Sequence, residues 1–184
     1  MAAKASVRRP VTLVVLVVAV ALAGALRALD HVAPWLRDEP RGTERFSSLD
    51  ALEREVGTQL ILPIFFPDVL EWPPAGVYRA PGTSRPTSVV FHHRATGAPG
   101  LVVAQCLDGE CDIPARLLPA GTIREGRRIE LGGAIARLVY GRDWRDEYIE
   151  VSAVRFDRRV VVRLYGEDAA TLLRVARSLR RGRP

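Results

Sequence analysis

Residues 148–179 read YIEVSAVRFDRRVVVRLYGEDAATLLRVARSL, and the change of hydrophobic period inside this stretch decides the fold. Residues 148–156 and 160–165 are rich in β-branched and aromatic side chains at strand spacing, and the link at Asp157 and Arg158 is hairpin-sized. Past Gly166 the period lengthens to that of a helix. Glu167 and Asp168 suit the positive end of a helix dipole, and the arginines of the last turn suit the negative end. Ala169, Leu172, Leu173, Ala176 and Leu179 form one stripe, Arg174, Arg177 and Arg181 lie on another face, and Gly182 ends the helix. Two antiparallel strands running into an amphipathic helix predict a sheet with a helix laid on it.

Working outward, strand-like segments recur at 77–79, 88–94, 101–106, 128–131 and 134–140, with Gly or Pro in every gap. The links Gly97-Ala98-Pro99-Gly100 and Gly132-Gly133 are again short, so most of the sheet is expected to be antiparallel. Upstream, Ser47 or Ser48 opens a short helix: Leu49, Leu52 and Val56 share a face, Asp50 stands three after Ser47 as in a capping box, and Gly57 is a natural stop. Residues 60–67 (LILPIFFP) carry proline at both ends of an apolar stretch, which forbids a helix interior and predicts a buried extended segment containing Phe65 and Phe66. The expected class is α+β, an antiparallel sheet of about five to seven strands flanked by a short N-terminal helix and a C-terminal amphipathic helix.

One N-terminal membrane helix is expected ahead of this domain. Residues 1–10 form a basic tip with Lys4, Arg8 and Arg9, and residues 11–29 an apolar segment that the positive-inside rule orients with the tip in the cytoplasm. The apolar pattern continues into Leu26 and Leu29, which favours an uncleaved single-pass anchor. Ala21-Leu22-Ala23 before Gly24 keeps a cleaved signal peptide, and hence a secreted or periplasmic form, as the alternative. Residues 30–46 read as a polar linker and residues 47–184 as one extracytoplasmic domain.

The net charge of +6 does not point to nucleic acid. Lys4 is the only lysine, much of the excess sits at the two ends, and no stacking aromatics interleave with the arginines. Such a skew accords with a GC-rich genome.

No catalytic signature, metal site or cofactor motif emerges. Cys106 and Cys111 bracket four residues and, in an oxidising compartment, are expected to form a structural disulfide. His92 and His93 are adjacent in a strand and point to opposite faces, so they do not chelate one ion. Asp108, Glu110 and Asp112 lack the bidentate acid of a calcium loop. His31, His92 and His93 are the only histidine bases, and no serine stands in a Gly-x-Ser-x-Gly elbow. The glycines Gly121 and Gly126 are followed by Arg127-Arg128 and so lack the phosphate-loop lysine. Asp143, Asp146 and Glu147 flank Trp144 in a loop expected to be exposed, with Trp144 either capping the core or touching a partner.

With these residues placed, the chain resembles an uncharacterised bacterial domain family found in the extracytoplasmic part of membrane proteins, often behind anti-sigma-factor-like cytoplasmic regions. The resemblance rests on the helix at 48–56 followed by Leu62-Pro63 to Pro67, the Gly132-Gly133 turn before Ala136, Trp144 ahead of the Tyr148 strand, and the final helix with Ala176-Arg177-Ser178-Leu179. It implies an extracytoplasmic ligand-sensing or protein-binding module and carries over no catalytic residues. About ten residues precede the apolar segment, so direct sequestration of a sigma factor is not expected.

The leading expectation is thus a non-enzymatic, membrane-anchored extracytoplasmic domain that binds an envelope protein or an apolar ligand. Trp144, Phe65 and Phe66 are its candidate contact residues. The alternative is a lipid or lipoprotein carrier, in which Phe65, Phe66 and the inward faces of strands 89–91 and 160–164 line a cavity. An enzyme of unrecognised type is a third reading.

Overall fold

The computed structural model describes residues 42–182. The tip 1–10, the apolar segment 11–29 and residues 30–41 of the linker lie outside the described residues, and the anchor and signal-peptide readings with them. Among the described residues no helix is long and apolar enough to cross a membrane.

In chain order the elements are β1 (Glu44–Phe46), α1 (Leu49–Val56), β2 (Ile61–Pro63), β3 (Gly76–Arg79), β4 (Pro86–His92), β5 (Pro99–Cys106), β6 (Thr122–Leu131), β7 (Ala134–Arg142), β8 (Glu147–Arg155), β9 (Arg158–Tyr165), α2 (Ala169–Arg177) and β10 (Leu179–Arg181). Eight strands form one antiparallel sheet in the order β1-β3-β4-β5-β9-β8-β7-β6, and β2 and β10 pair as a separate two-stranded ribbon. The expected α+β class holds. The main sheet has eight strands where about five to seven were expected.

The differences have local causes. Residues 44–46, read as the end of the linker, become β1 because they find β3 as a partner, from Glu44↔Arg79 to Phe46↔Val77. β6 begins at Thr122, ahead of the strand expected at 128–131, because β7 offers it partners from Arg142 to Ala134 with one irregularity between Ile123 and Glu125. The β8–β9 turn falls one residue earlier than expected, on Phe156 and Asp157 at φ 53° and 60°, and Arg158 already pairs with Arg155. The final helix stops at Arg177: Ser178 Oγ accepts from the Phe65 N–H at 3.0 Å, and Leu179 then pairs with Pro63. Pairing with β2 captures three residues whose spacing would have continued the helix.

The helix caps follow elementary rules. Ser48, not Ser47, is the N-cap of α1, its hydroxyl accepting from the Ala51 N–H at 3.1 Å, and Gly57 closes the helix in the left-handed region at φ 68°. Asp168 caps α2 through the Thr171 N–H at 2.7 Å, and this bond holds its carboxyl below the usual carboxylate range.

Alternation along the strands gives the sheet two faces, and each carries an apolar layer under a cover. On the first, Val89, Phe91, Val103, Val151, Val162 and Leu164 pack against Leu52 of α1, Leu172 and Val175 of α2, and Leu60 to Leu62. Gln105 is buried on this face, where its amide accepts from the Ile61 N–H at 2.9 Å and donates to the Ile61 carbonyl at 3.2 Å, standing in for a strand partner to β2. On the second face, Tyr78, Val90, Val102, Val139, Val161 and Tyr165 meet Leu117 and Leu118. These belong to the crossover strap, residues 107–121, which carries the chain from β5 to the far edge strand β6.

Candidate functional site

Register places the turn after β7, the start of β5, and the end of β4 at one end of the sheet, through Gly141↔Tyr148, Tyr148↔Tyr165, Leu101↔Leu164 and His92↔Pro99. The loop 64–74 reaches the same end, since Leu70 bridges to His93 and the Glu71 N–H donates to the His92 carbonyl at 2.9 Å. Both tryptophans among the described residues, Trp72 and Trp144, therefore stand at this end.

The loop builds an apolar lip. β2 ends at Pro63, and Pro67, Pro73 and Pro74 lie in the irregular stretch that follows it. Phe66 rests on the buried Phe91 with ring centroids 4.9 Å apart, and Trp72 stacks on Phe91 at 5.9 Å while meeting Phe66 edge-on at 5.5 Å. Phe65 lies half-buried under the guanidinium of Arg174, 4.0 Å from the ring centroid. The outer rim stays in water: Ile64 is 51% and Trp72 50% exposed. A shallow hollow of about 230 Å³ separates Trp72 and Pro73 from Ser48 and Leu49 at the start of α1. Phe65 and Phe66, expected as core, instead form the shoulder between the core and this rim.

Trp144 is 65% exposed, with the Arg145 guanidinium 4.8 Å from its ring centroid, so it does not cap the core. Its mount is buried. Asp143, expected in an exposed loop, turns inward: Oδ1 accepts from the N–H groups of Arg145 at 2.8 Å and Asp146 at 3.3 Å, while Oδ2 accepts from Arg163 Nη1 at 2.8 Å and the Tyr165 hydroxyl at 2.7 Å. Arg163 also donates to Glu150 Oε2 at 3.0 and 2.7 Å and to the Pro119 carbonyl at 2.7 Å, and lies 3.8 Å above the Tyr148 ring. Tyr148 in turn fills the space left by Gly121 and Gly141, where an added Cβ would come within 2.6 and 2.5 Å of its ring.

The charges in this cluster are mutually satisfied. Burial opposes the charge on Arg163, but the field and hydrogen bond of Glu150, with Tyr165, outweigh it and raise the guanidinium above its ordinary value. Burial, and then the bond to Asp143, push the Tyr165 phenol from 10 up to about 12. Every acid here faces a base or a donor, leaving a rigid clamp with its carboxylates committed to holding the turn and the strap.

No protein-family model, curated protein or solved structure matches this chain.

The site reading from sequence had found Phe65, Phe66 and Trp144 but not Trp72 or the clamp. A signal for the clamp was present, because Arg163 interrupts the apolar run 160–165 (VVVRLY), and a charge inside a buried strand requires a partner. Trp72 carried one too: a tryptophan directly before two prolines has little room in a helix or sheet interior. Cys106 and Cys111 form the expected disulfide, with Cα atoms 5.8 Å apart, and it closes the first turn of the strap.

Proposed function

We propose that the chain is a non-catalytic extracytoplasmic binding domain, held at the membrane by its N-terminal apolar segment, that recognises an envelope protein through the aromatic end of its sheet. The observation that carries the reading is the pair of exposed tryptophans on rigid mounts. Trp72 stands on Phe66 and Phe91, and Trp144 on the Asp143 turn. Large aromatics kept in water by a fixed frame are the usual anchors of protein interfaces, since little conformational entropy remains to be lost when they are covered. The sequence resemblance to extracytoplasmic modules of membrane proteins supports the same address.

The carrier alternative has less support. The strand residues that would line its cavity, Val89, Phe91, Val160, Val162 and Leu164, are buried in the core that includes Leu172 and Val175 of α2. Acyl-chain binding there would require α2 to leave the sheet.

Photo-crosslinking side chains placed at positions 72, 144 and, as a control, 125 in the full chain in cells test the proposal. Positions 72 and 144 are expected to yield adducts with the same envelope protein, and position 125 none. Adducts with lipid alone, or none at either tryptophan, would sink it. Trp72→Ala and Trp144→Ala should each remove the adducts formed from the other position; Trp144→Ala should change stability by less than about 0.5 kcal/mol, and Trp72→Ala, which loses its contacts with Phe66 and Phe91, should cost about 1–2 kcal/mol with the fold retained.

A further inference from the structure

A second surface, at the opposite corner of the sheet, presents a different chemistry. Arg128 on β6 and Arg137 on β7 are directly opposite each other in register, so their side chains leave the same face side by side. Both are exposed, and neither has a hydrogen bond or ion pair among the described residues. Arg79, Arg85, Arg124, Arg159 and Arg163 each have a carboxylate partner, and Arg155 and Arg158 donate to backbone or hydroxyl oxygens, whereas Arg128 and Arg137 face each other. Like charges facing each other across two strands oppose pairing. The fold gains nothing evident from this pair.

The two arginines line an open groove of about 530 Å³, together with Ser152, Ile135, Val154 and Arg159. The Arg137 guanidinium lies beside Gly126, where an added Cβ would be 3.6 Å from Nε and Nη2, so the glycine keeps the floor low. Arg159 on the far wall is held by Asp112 Oδ1 at 3.1 Å and the Cys111 carbonyl at 3.3 Å. Glu110 also lines the groove, and Glu130 stands two residues along β6 from Arg128, opposite Ile135. Ile135, 78% exposed, supplies an apolar step next to that row.

We propose that this groove binds a phosphate-bearing organic ligand, with the phosphate between Arg128 and Arg137 and the carbon part over Ile135 and Val154. A guanidinium fork matches two oxygens of a tetrahedral oxyanion, and two forks together neutralise a dianion, which a monocarboxylate does not offer. The repulsion between the arginines becomes attraction to a common anion once the ligand is seated.

The test is calorimetric titration of the full chain with inorganic phosphate, glycerol 3-phosphate and acetate, with thermal unfolding recorded for the wild type, Arg128→Gln and Arg137→Gln. Expected are saturable binding of both phosphates but not acetate, tighter binding of the ester, and at least about tenfold weaker binding in each variant, as loss of a charge-assisted bond implies. Without ligand each variant should melt at or slightly above the wild-type temperature, by up to about 3 °C, because repulsion is relieved. Absence of saturable phosphate binding in the wild type, or unchanged affinity in the variants, overturns the site. A lower melting temperature in both ligand-free variants overturns the argument from repulsion, and equal affinity for the two phosphates removes Ile135 and Val154 from the site. None of these variants touches Trp72 or Trp144, so failure here leaves the protein-binding proposal standing.

Discussion

The two faces of the main sheet carry covers of very different material, and the cover of the second stops short of the open groove lined by Arg128 and Arg137. On the first face α1, α2 and the β2–β10 ribbon present regular backbone whose hydrogen bonds are made within helices or between strands, so side chains need only be apolar and fit. On the second face the cover is the strap 107–121, which has neither helix nor strand. It inserts Leu117 and Leu118, but its position is set by covalent and polar fastenings: the Cys106–Cys111 disulfide and Arg159 at its start, and the Pro119 carbonyl on Arg163 at its end. Non-directional burial suffices where the cover is regular; an irregular cover requires directional bonds to choose one position.

If that contrast is right, the clamp is the most sensitive point of the second face. Arg163→Met should lower stability by about 3–5 kcal/mol, because the buried Asp143 carboxylate and the partly buried Glu150 would be left without a counter-charge. Urea unfolding measures the loss, and amide exchange locates it: residues 113–120 and 143–146 should lose protection before 169–177. Equal loss on both faces would break the comparison.

The disulfide is a smaller fastening. Cys106→Ser with Cys111→Ser should cost about 2 kcal/mol, the entropy of closing so short a loop in the unfolded chain, and reduction of the wild type should reproduce it. A cost near zero would mean that Arg159 alone secures the start of the strap.

The third effect, similar in size to the second, is a pH dependence. The Tyr165 phenol titrates at about 12 in the folded domain and near 10 when unfolded. Its contribution is complete below pH 10 and is lost as pH rises toward 12, since the unfolded chain gives up its proton first. Stability should fall over that window by roughly 2 kcal/mol, and Tyr165→Phe should flatten the fall while lowering stability at neutral pH through the lost bond to Asp143. A fall of the same size in Tyr165→Phe would assign it to other groups.

Much of the first face was legible in the order of residues, and little of the second. The stripe Leu172, Leu173, Ala176 and the strand 160–165 announce a helix on a sheet, because period and burial are local consequences of side-chain type. The strap carries no period. Apart from the disulfide, its fastenings join residues far apart in the chain, Arg159 to Cys111 and Asp112 and Arg163 to Pro119, and no local pattern marks them as neighbours. The same holds at the aromatic end, where Trp72 meets Phe91 across a loop, and at the groove, where Arg128 and Arg137 become a pair only through the Gly132-Gly133 hairpin.

By itself the sequence determined most of the strands and the start of both helices, the antiparallel hairpins, the N-cap near Ser48, the acidic start of the final helix, and the pairing of the two cysteines. These depend on side-chain chemistry over a few residues. Only the tertiary structure decided that 44–46 and 179–181 become strands, that Asp143 turns inward while Trp144 turns out, and that Arg163 carries the strap. Each of these outcomes depends on a partner supplied from elsewhere in the chain, whose distance in space is fixed only when the whole sheet has formed.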